Sequence, residues 1–252
     1  MKPSRLITRR TALIAGVGAA GGLFVPGYVK GLPPTYGHIL RMGDNLTYAA
    51  HRILLRSRGP VREYSHKAIS SFPATGTTDP GAVGIPNRSE AYATLRKGGF
   101  ADWRLSVSGL VARPGTYSLA DLKRLPSRTQ ITRHTCEEGW SAIMEWTGVP
   151  LGRVLEAAGM LPSARWINFY SFDDWADSID LLDALHPQTL LAYGMNGRDL
   201  PVPHGAPVRL RVETQLGYKS MKFLQRIVVS DTFDDGGKNG NIQNGWSWYA
   251  GI

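Results

Sequence analysis

Cysteine is almost absent from this chain, since Cys136 is the only one among 252 residues. One thiol cannot form an internal disulfide, a cysteine-based zinc cluster or an iron–sulfur cage. The chain also lacks the C-x-x-C-H sequence of covalent haem attachment. Any redox cofactor must therefore be held in another way.

Charge is also scarce, with charged residues making up 19% of the chain against 42% hydrophobic residues. This balance excludes intrinsic disorder as the main state. The net charge of +9 is concentrated at the start, because five basic residues and no acidic residue lie within residues 1–30. The remaining 24 basic and 20 acidic residues form no basic run. Nucleic-acid binding is therefore not expected.

The first 30 residues have the pattern of an export signal. The pair Arg9-Arg10 precedes a weakly apolar run over Ala12–Val25, which is shorter than the about 20 residues of a comfortable bilayer span. This pattern resembles a twin-arginine signal and predicts a periplasmic or otherwise exported protein. We expect membrane contact only through this segment, which is either cleaved or retained as an anchor, and a single domain over residues 31–252.

Short apolar segments separated by turn residues dominate the body, and the whole chain contains 29 Gly and 16 Pro. We predict an α+β fold with a β-rich mixed-sheet or barrel-like core and peripheral helices. Alternation predicts strands at 103–109 and 129–133, and further strands are predicted at 166–172 and, from apolar runs, at 208–212 and 226–229. Helical spacing and capping signals predict helices from an N-cap at Asp44 towards Gly59, over 118–125, over 151–158 and over 179–185, with a turn at Thr147-Gly148.

Cys136 ends a predicted strand just before Gly139. A lone cysteine is more often a small buried hydrophobe than a functional thiol. A hydrolase that pairs Cys136 with His134 or His204 is one functional alternative, but no orienting Asn or Asp pattern and no small-residue elbow supports it.

The surroundings of Cys136 favour a different function. The segments Thr132-Arg133-His134-Thr135-Cys136-Glu137-Glu138-Gly139-Trp140-Ser141 and Trp146-Thr147-Gly148-Val149-Pro150-Leu151 resemble the central motif of the sulfite oxidase family of molybdopterin oxidoreductases. The resemblance continues, in order, through 190–197, 200–201, 204–210 and 217–222, and covers residues 70–252. It is strongest with the exported branch that resembles the catalytic subunit of periplasmic methionine sulfoxide reductase. We therefore expect the molybdopterin-binding fold of the sulfite oxidase family.

The resemblance implies a molybdenum–molybdopterin cofactor with one pyranopterin. Cys136 matches the family's thiolate ligand to molybdenum and is thereby the expected catalytic and metal-binding residue. His204 and Arg209 match cofactor contacts, and a guanidinium can hold phosphate oxygens through two parallel hydrogen bonds. The other expected cofactor neighbours are Ser171, Ser220, Met221 and Lys222.

Residues 70–76 occupy the place of the family's first cofactor loop, so that Ser70, Pro73 and Ala74 are expected neighbours as well. Contacts at Pro73 and Ala74 would come from backbone groups, and Pro73 has no N–H to donate. An arginine cluster for sulfite is not evident in this loop. Arg133 lies beside the Cys136 strand end, but alternation could equally direct it to solvent.

We expect oxygen-atom transfer from a small S-oxide or N-oxide, with electrons from a separate haem-containing or quinol-linked membrane protein. Oxidation of sulfite or a related small compound, and a metal-free binding protein on the same fold, are the alternatives. Glu137, Glu138 and Asp173 are candidates for handling the proton that accompanies oxygen transfer. Trp103, Trp140 and Trp146 are expected to serve in core packing rather than electron relay.

Overall fold

The computed structural model describes residues 39–54, 59–71 and 74–252. The predicted signal segment, the following linker and Pro73 lie outside the described residues. No helix in the described part of the chain combines the length and apolar character that crossing a membrane requires.

Ten strands in the described part of the chain form two five-stranded sheets. The first sheet has the order β2-β1-β10-β5-β6, in which only β1 and β10 are parallel, and the second has the order β3-β4-β7-β8, with β9 paired to β7. The strands are β1 (Arg104–Gly109), β2 (Gly115–Ser118), β3 (Arg128–Thr135), β4 (Ser141–Pro150), β5 (Trp166–Ser171), β6 (Ala176–Asp180), β7 (Leu190–Met195), β8 (Arg198–Asp199), β9 (Arg209–Arg211) and β10 (Leu224–Ser230).

The main hydrophobic core draws on both sheets and on the helix after β4. Leu105, Ile167 and Ile227 of the first sheet join Val149 and Leu210 of the second in one buried cluster. Burial of such side chains is the dominant stabilising contribution to folding. A smaller cluster, which includes Met144, Trp146 and Leu190, packs elsewhere on the second sheet. The mixed α+β fold predicted from the sequence is confirmed.

Five helices are described: α1 (Ile39–Leu54), α2 (Glu90–Lys97), α3 (Leu119–Arg124), α4 (Leu151–Ala158) and α5 (Leu181–Ala184). The capping box predicted from Ser118 and Asp121 is present, with each side chain bound to the other residue's backbone N–H. The N-cap predicted at Asp44 is wrong, because α1 begins at Ile39 and the Asp44 carboxylate accepts a hydrogen bond from Ser247 Oγ at 2.7 Å.

The turn predicted at Thr147-Gly148 is also wrong. The two residues lie within β4, where the pairing with β7 shifts register between them. Gly148 is required there by close packing rather than by a turn, since a Cβ would lie 2.3 Å from the Leu191 carbonyl oxygen. A glycine that permits close backbone approach has the same sequence signature as a glycine in a turn.

Candidate cofactor site

A cavity of about 310 Å³ lies where the end of β3 meets the loops around β9. This volume is typical of small-molecule and cofactor sites. Five parts of the chain line it: residues 74–77, residues 134–146 in part, residues 171–175 in part, residues 203–222 in part, and Asn241 with Trp246.

Most of the predicted site residues meet at this cavity. The lining includes Ala74, Cys136, Ser171, His204, Arg209, Ser220, Met221 and Lys222. Ser70 does not line it, because its hydroxyl accepts a hydrogen bond from Ile143 N on β4 at 2.9 Å. Pro73 lies outside the described residues.

Cys136, Glu137, Glu138 and Trp140 line one end of the cavity. We call this end the thiol end. The Cys136 sulfur lies 3.5 Å from a Glu137 carboxylate oxygen and 3.8 Å from a Glu138 oxygen. Burial, with the charge of Glu137 adding to it, raises the pKa of the Cys136 thiol to about 11. A metal ion bound to this sulfur would hold it deprotonated against that tendency.

Both acidic side chains at the thiol end are fixed by hydrogen bonds. Tyr218 N donates to Glu137 at 3.2 Å, which connects the cysteine turn to the loop after β9. Trp140 Nε1 donates to Glu138 at 2.8 Å. Arg133 is exposed and its guanidinium lies over the Tyr64 ring at 5.5 Å. It is therefore not among the residues that line the cavity.

His204, Arg209 and Lys222 form what we call the basic end of the cavity. Arg209 donates to the carbonyl oxygens of His204 at 2.9 Å and Ser220 at 2.6 Å. Lys222 Nζ donates to the carbonyl oxygens of Thr75 at 2.9 Å, Pro203 at 3.3 Å and Thr77. The two cations thus hold together the three loops that form this end.

Positive charge at the basic end is crowded. Burial and the neighbouring Arg211 lower the pKa of Arg209 to about 9. Burial and Arg209 lower the pKa of Lys222 to about 8, and burial with Arg209 and Lys222 lowers the pKa of His204 to about 4. An anion bound among these groups would relieve their mutual repulsion.

Ser171 and Ser220 have mainly structural contacts in this structure. The Ser171 hydroxyl donates to the Asp173 carboxylate and accepts from Trp175 N at 3.2 Å. Burial raises the pKa of Asp173, and the Ser171 hydrogen bond opposes that effect. Ser220 Oγ accepts from Val212 N at 3.0 Å. Both hydroxyls keep further hydrogen-bonding capacity towards an occupant of the cavity.

Sequence reasoning did not identify a third basic side chain, Arg211, as part of the site. Arg209 and Arg211 are next-but-one neighbours on β9 and lie on the same face of the strand. Both guanidinium groups lie over the Trp146 ring, at 5.1 and 4.5 Å from its centre. Arg211 then contacts His134, which lines the cavity beside Cys136. The spacing of the two arginines was the signal in the sequence that could have placed Arg211 beside Arg209, since next-but-one residues of a strand share a face.

The C-terminal segment, residues 237–252, also contributes to the site and was not predicted to do so. Lys219 is completely buried and donates to Asp177 at 2.6 Å, to the Ser178 carbonyl at 2.8 Å and to the Trp248 carbonyl at 2.9 Å. These bonds attach the segment to β6. As a result, Trp246 reaches the cavity, where its ring centre lies 5.2 Å from that of Tyr218.

The three tryptophans that were expected in the core separate into two groups. Trp103 is fully buried and its indole N–H donates to the Leu224 carbonyl at 3.1 Å. Trp140 and Trp146 also line the cavity, and Trp146 is at the same time buried in the smaller hydrophobic cluster, against which Trp140 packs. Trp146 Nε1 is buried without a hydrogen-bond partner among the described residues.

These observations fit a molybdopterin cofactor. A soft thiol lies at one end of the cavity, which suits molybdenum, and buried cations with lowered pKa values lie at the other end, which suits a phosphate. Cys136 would bind the metal, and Arg209 and Lys222 would face the phosphate.

Comparison with known proteins agrees with this assignment. Residues 93–237 match the family described as the oxidoreductase molybdopterin binding domain. The chain is 41% identical over 151 residues to a protein of Azospira oryzae whose name assigns it provisionally, as subunit YedZ1, to a protein-methionine-sulfoxide reductase, with 60% of this chain and 56% of that protein covered.

Two further relatives are named protein-methionine-sulfoxide reductase catalytic subunit MsrP. The protein from Ralstonia nicotianae is 34% identical, covering 60% of this chain and 50% of its own length. The protein from Xanthomonas campestris pv. campestris is 35% identical, covering 61% and 49%. The chain thus spans about half the length of the curated relatives it matches.

The fold is shared with the sulfane dehydrogenase SoxCD from Paracoccus pantotrophus. The TM-score is 0.53 at 21% identity, over 85% of this chain and 57% of that chain. This likeness and the motifs around Cys136 agree, and the chain belongs to the oxidoreductase molybdopterin-binding domain family, with the fold of the sulfite oxidase family.

Proposed function

We propose that this protein is an exported molybdenum–molybdopterin oxidoreductase that reduces an S-oxide or N-oxide. The observation that carries the proposal is the pairing, in one cavity, of the Cys136 thiol with the anion-binding groups Arg209 and Lys222. When bound, the cofactor would supply two-electron chemistry and accept the oxygen atom.

The overall reaction converts one S-oxide, two electrons and two protons to a thioether and water. Cys136 would hold the metal, and Arg209 with Lys222 would neutralise the phosphate, to which Ser220 would donate its hydroxyl. Trp140, Tyr218 and Trp246 would shield the thiol end from bulk water. Glu137, Glu138 and Asp173 are the acidic groups available to carry protons.

The names of the relatives favour reduction of sulfoxides over oxidation of sulfite. The thiol end supports the same choice, because it carries two carboxyl side chains and Arg133 points away from it. A sulfite dianion would be repelled there. A neutral sulfoxide carries no net charge and avoids this cost.

Export and an external electron donor complete the proposal. The paired arginines Arg9-Arg10 and the apolar run that follows support passage through the twin-arginine route to the periplasm. Electrons would come from a separate haem-containing or quinol-linked membrane protein.

Localisation of a tagged full chain in cell fractions, with Arg9→Lys/Arg10→Lys as the matched variant, tests the proposed export route. Periplasmic appearance of the double variant at the wild-type level would contradict it.

Purification of the full chain from a molybdenum-competent host tests the chemistry. We expect about one molybdenum per chain, as one thiolate ligand predicts, and turnover of methionine sulfoxide with a reduced viologen dye. Sulfite with an artificial electron acceptor is the parallel assay. Activity with sulfite alone would reject sulfoxide reduction, and purification without molybdenum would favour a metal-free binding protein.

A further inference from the structure

Trp246 is a large aromatic side chain that lines the cavity and yet remains 39% exposed. A tryptophan ring is ordinarily well buried, and an exposed aromatic surface at the wall of a cavity is typical of a binding site. Trp246 also lies beyond residues 93–237, which match the molybdopterin-binding family. Its exposed ring is therefore a feature of this chain that the matched domain does not account for.

The backbone on both sides of Trp246 is anchored. Trp246 N donates to the Asn241 carbonyl oxygen at 3.0 Å. Ser247 Oγ and the indole N–H of Trp248 donate to side chains of α1, at 2.7 and 2.8 Å. Because the chain is fixed here before any ligand binds, contact with the Trp246 ring costs little ordering of the backbone.

Tyr218 supports the Trp246 ring and connects it to the thiol end. The two ring centres lie 5.2 Å apart with an angle of 32° between the planes. The Tyr218 hydroxyl donates to the Ser247 carbonyl at 2.7 Å, and Tyr218 N donates to the Glu137 carboxylate at 3.2 Å. Another contact of 3.5 Å joins that carboxylate to the Cys136 sulfur. The aromatic pair Trp246–Tyr218 therefore adjoins the thiol end.

The aromatic pair and the carboxylates at the thiol end suit different parts of a substrate. Glu137 and Glu138 are acidic and offer no favourable surface to an alkyl group. Aromatic rings, in contrast, make favourable contacts with sulfur and with apolar chains. An S-oxide has both a polar S–O group and apolar substituents on sulfur. Its apolar part would therefore bind at the aromatic pair.

We propose that Trp246, supported by Tyr218, contacts the alkyl substituent of the S-oxide and makes the enzyme prefer substrates with longer alkyl chains. This role rests on the function proposed above, and it makes Trp246 a residue that determines specificity. The contact is made equally to the bound substrate and in the transition state, so it lowers KM and leaves kcat nearly unchanged.

Kinetics of the molybdenum-loaded full chain with reduced viologen test the preference. We expect Trp246→Ala to raise KM for methionine sulfoxide about tenfold, the upper end of the contribution of a sulfur–aromatic contact, with kcat within about twofold. For dimethyl sulfoxide we expect kcat/KM to fall about threefold or less, because its methyl groups bury less apolar area. Trp246→Phe keeps an aromatic face and is expected to recover most of the loss.

The matched control is Leu161→Ala, which removes an apolar side chain of similar exposure, 37%, shortly after α4. We expect its kinetics to equal those of the wild type. Equal losses with both S-oxides in Trp246→Ala would indicate a structural role and overturn the proposal. Lower molybdenum or pterin content in Trp246→Ala would place the ring against the cofactor and would also overturn it.

Fluorine NMR of the oxidised enzyme, labelled with 5-fluorotryptophan and kept free of reductant, tests the contact without turnover. We expect the Trp246 signal, assigned by its loss in Trp246→Phe, to shift saturably with methionine sulfoxide while that of the buried Trp103 stays in place. Turnover without this shift would reject the contact and keep the proposed function. A saturable shift in protein that does not reduce sulfoxides would keep the contact and reject the proposed function.

Discussion

The thiol end and the basic end of the cavity hold their functional groups in different ways. At the thiol end, the sulfur of Cys136 lies 3.5 and 3.8 Å from two carboxylate oxygens, and burial raises the pKa of its thiol to about 11. At the basic end, Arg209 and Lys222 are bound to backbone carbonyl oxygens from three loops. The thiol end therefore depends on its ligand for stable charge, whereas the basic end is built before any ligand arrives.

The largest expected effect comes from removing the sulfur at the thiol end. Cys136→Ser replaces a soft ligand with a hard one, and we expect activity to fall at least about a hundredfold because metal chemistry depends on the ligand set. Metal analysis and the sulfur count from X-ray absorption measure the change. Ser70→Ala is the control, since Ser70 was predicted at the site but lies outside the cavity lining. An unchanged sulfur count in Cys136→Ser would contradict the assignment.

Arg209→Met tests whether the basic end is an anion site. This change removes a buried charge and two hydrogen bonds to loop carbonyls, and we expect bound cofactor to fall about tenfold or more, since hydrogen bonds to charged groups contribute about 1.5–3 kcal/mol. Cofactor content is measured as released pterin per chain. Arg104→Met is a matched control, because Arg104 also donates to two backbone carbonyls but is exposed. Equal cofactor loss in both variants would argue against an anion site.

Gly217→Ala tests how closely the loop after β9 packs against the His134 ring beside the thiol end. The added methyl group would lie 2.6 Å from two atoms of the His134 ring, which is hydrogen-bonded to Arg211. We expect the free energy of unfolding to fall by about 1–3 kcal/mol, as for overpacking elsewhere. Denaturant titration measures it, with Gly115→Ala as control because no atom lies within 4 Å of a Cβ there. A similar small loss in both variants would show that the His134 ring is free to shift.

The smallest effect concerns the pH dependence of stability at the basic end. Burial and Arg209 lower the pKa of Lys222 from 10.5 to about 8, with Asp173 opposing the shift. The unfolded chain then binds more protons than the folded chain between these values, so stability rises with pH. We expect the ligand-free wild type to gain about 2 kcal/mol, relative to Lys222→Met, between pH 7 and 9.5.

Urea titrations at the two pH values measure this difference. Lys123→Met is the control, because Lys123 is exposed and pairs with Asp199 at the surface. A wild-type gain no larger than that of Lys222→Met would show that Lys222 is not strained by its surroundings.

Local patterns were sufficient to predict much of the fold. The alternation before Gly109, the capping box at Ser118 and the helical spacing after Leu151 all depend on near neighbours, and the structure confirms them. The errors at Asp44 and Gly148 arose where partners distant in sequence decide the outcome. Ser247 takes the Asp44 carboxylate, and the Leu191 carbonyl excludes a side chain at position 148.

The residues of the candidate site also separate into those that the sequence predicted and those that it did not. The resemblance of the ordered motifs to the sulfite oxidase family was enough to predict that Cys136, Arg209 and Lys222 belong to one site. Arg211 and Lys219 were missed, since a basic residue in a short apolar strand or loop is ordinarily a surface charge. Their burial becomes evident only through partners brought by the fold, which are Glu213 and His134 for Arg211 and Asp177 for Lys219.

The sequence by itself determined the family, the thiol available to a metal and the cations available to a phosphate, because these depend on residue type and order. Only the tertiary structure decided that Arg211 contacts the His134 ring and how the C-terminal segment reaches the cavity. Those features depend on hydrogen bonds between residues far apart in the chain, such as the bond between His134 and Arg211, which are 77 positions apart. Their geometry is set by the packing of the two sheets and has no local signature in the chain.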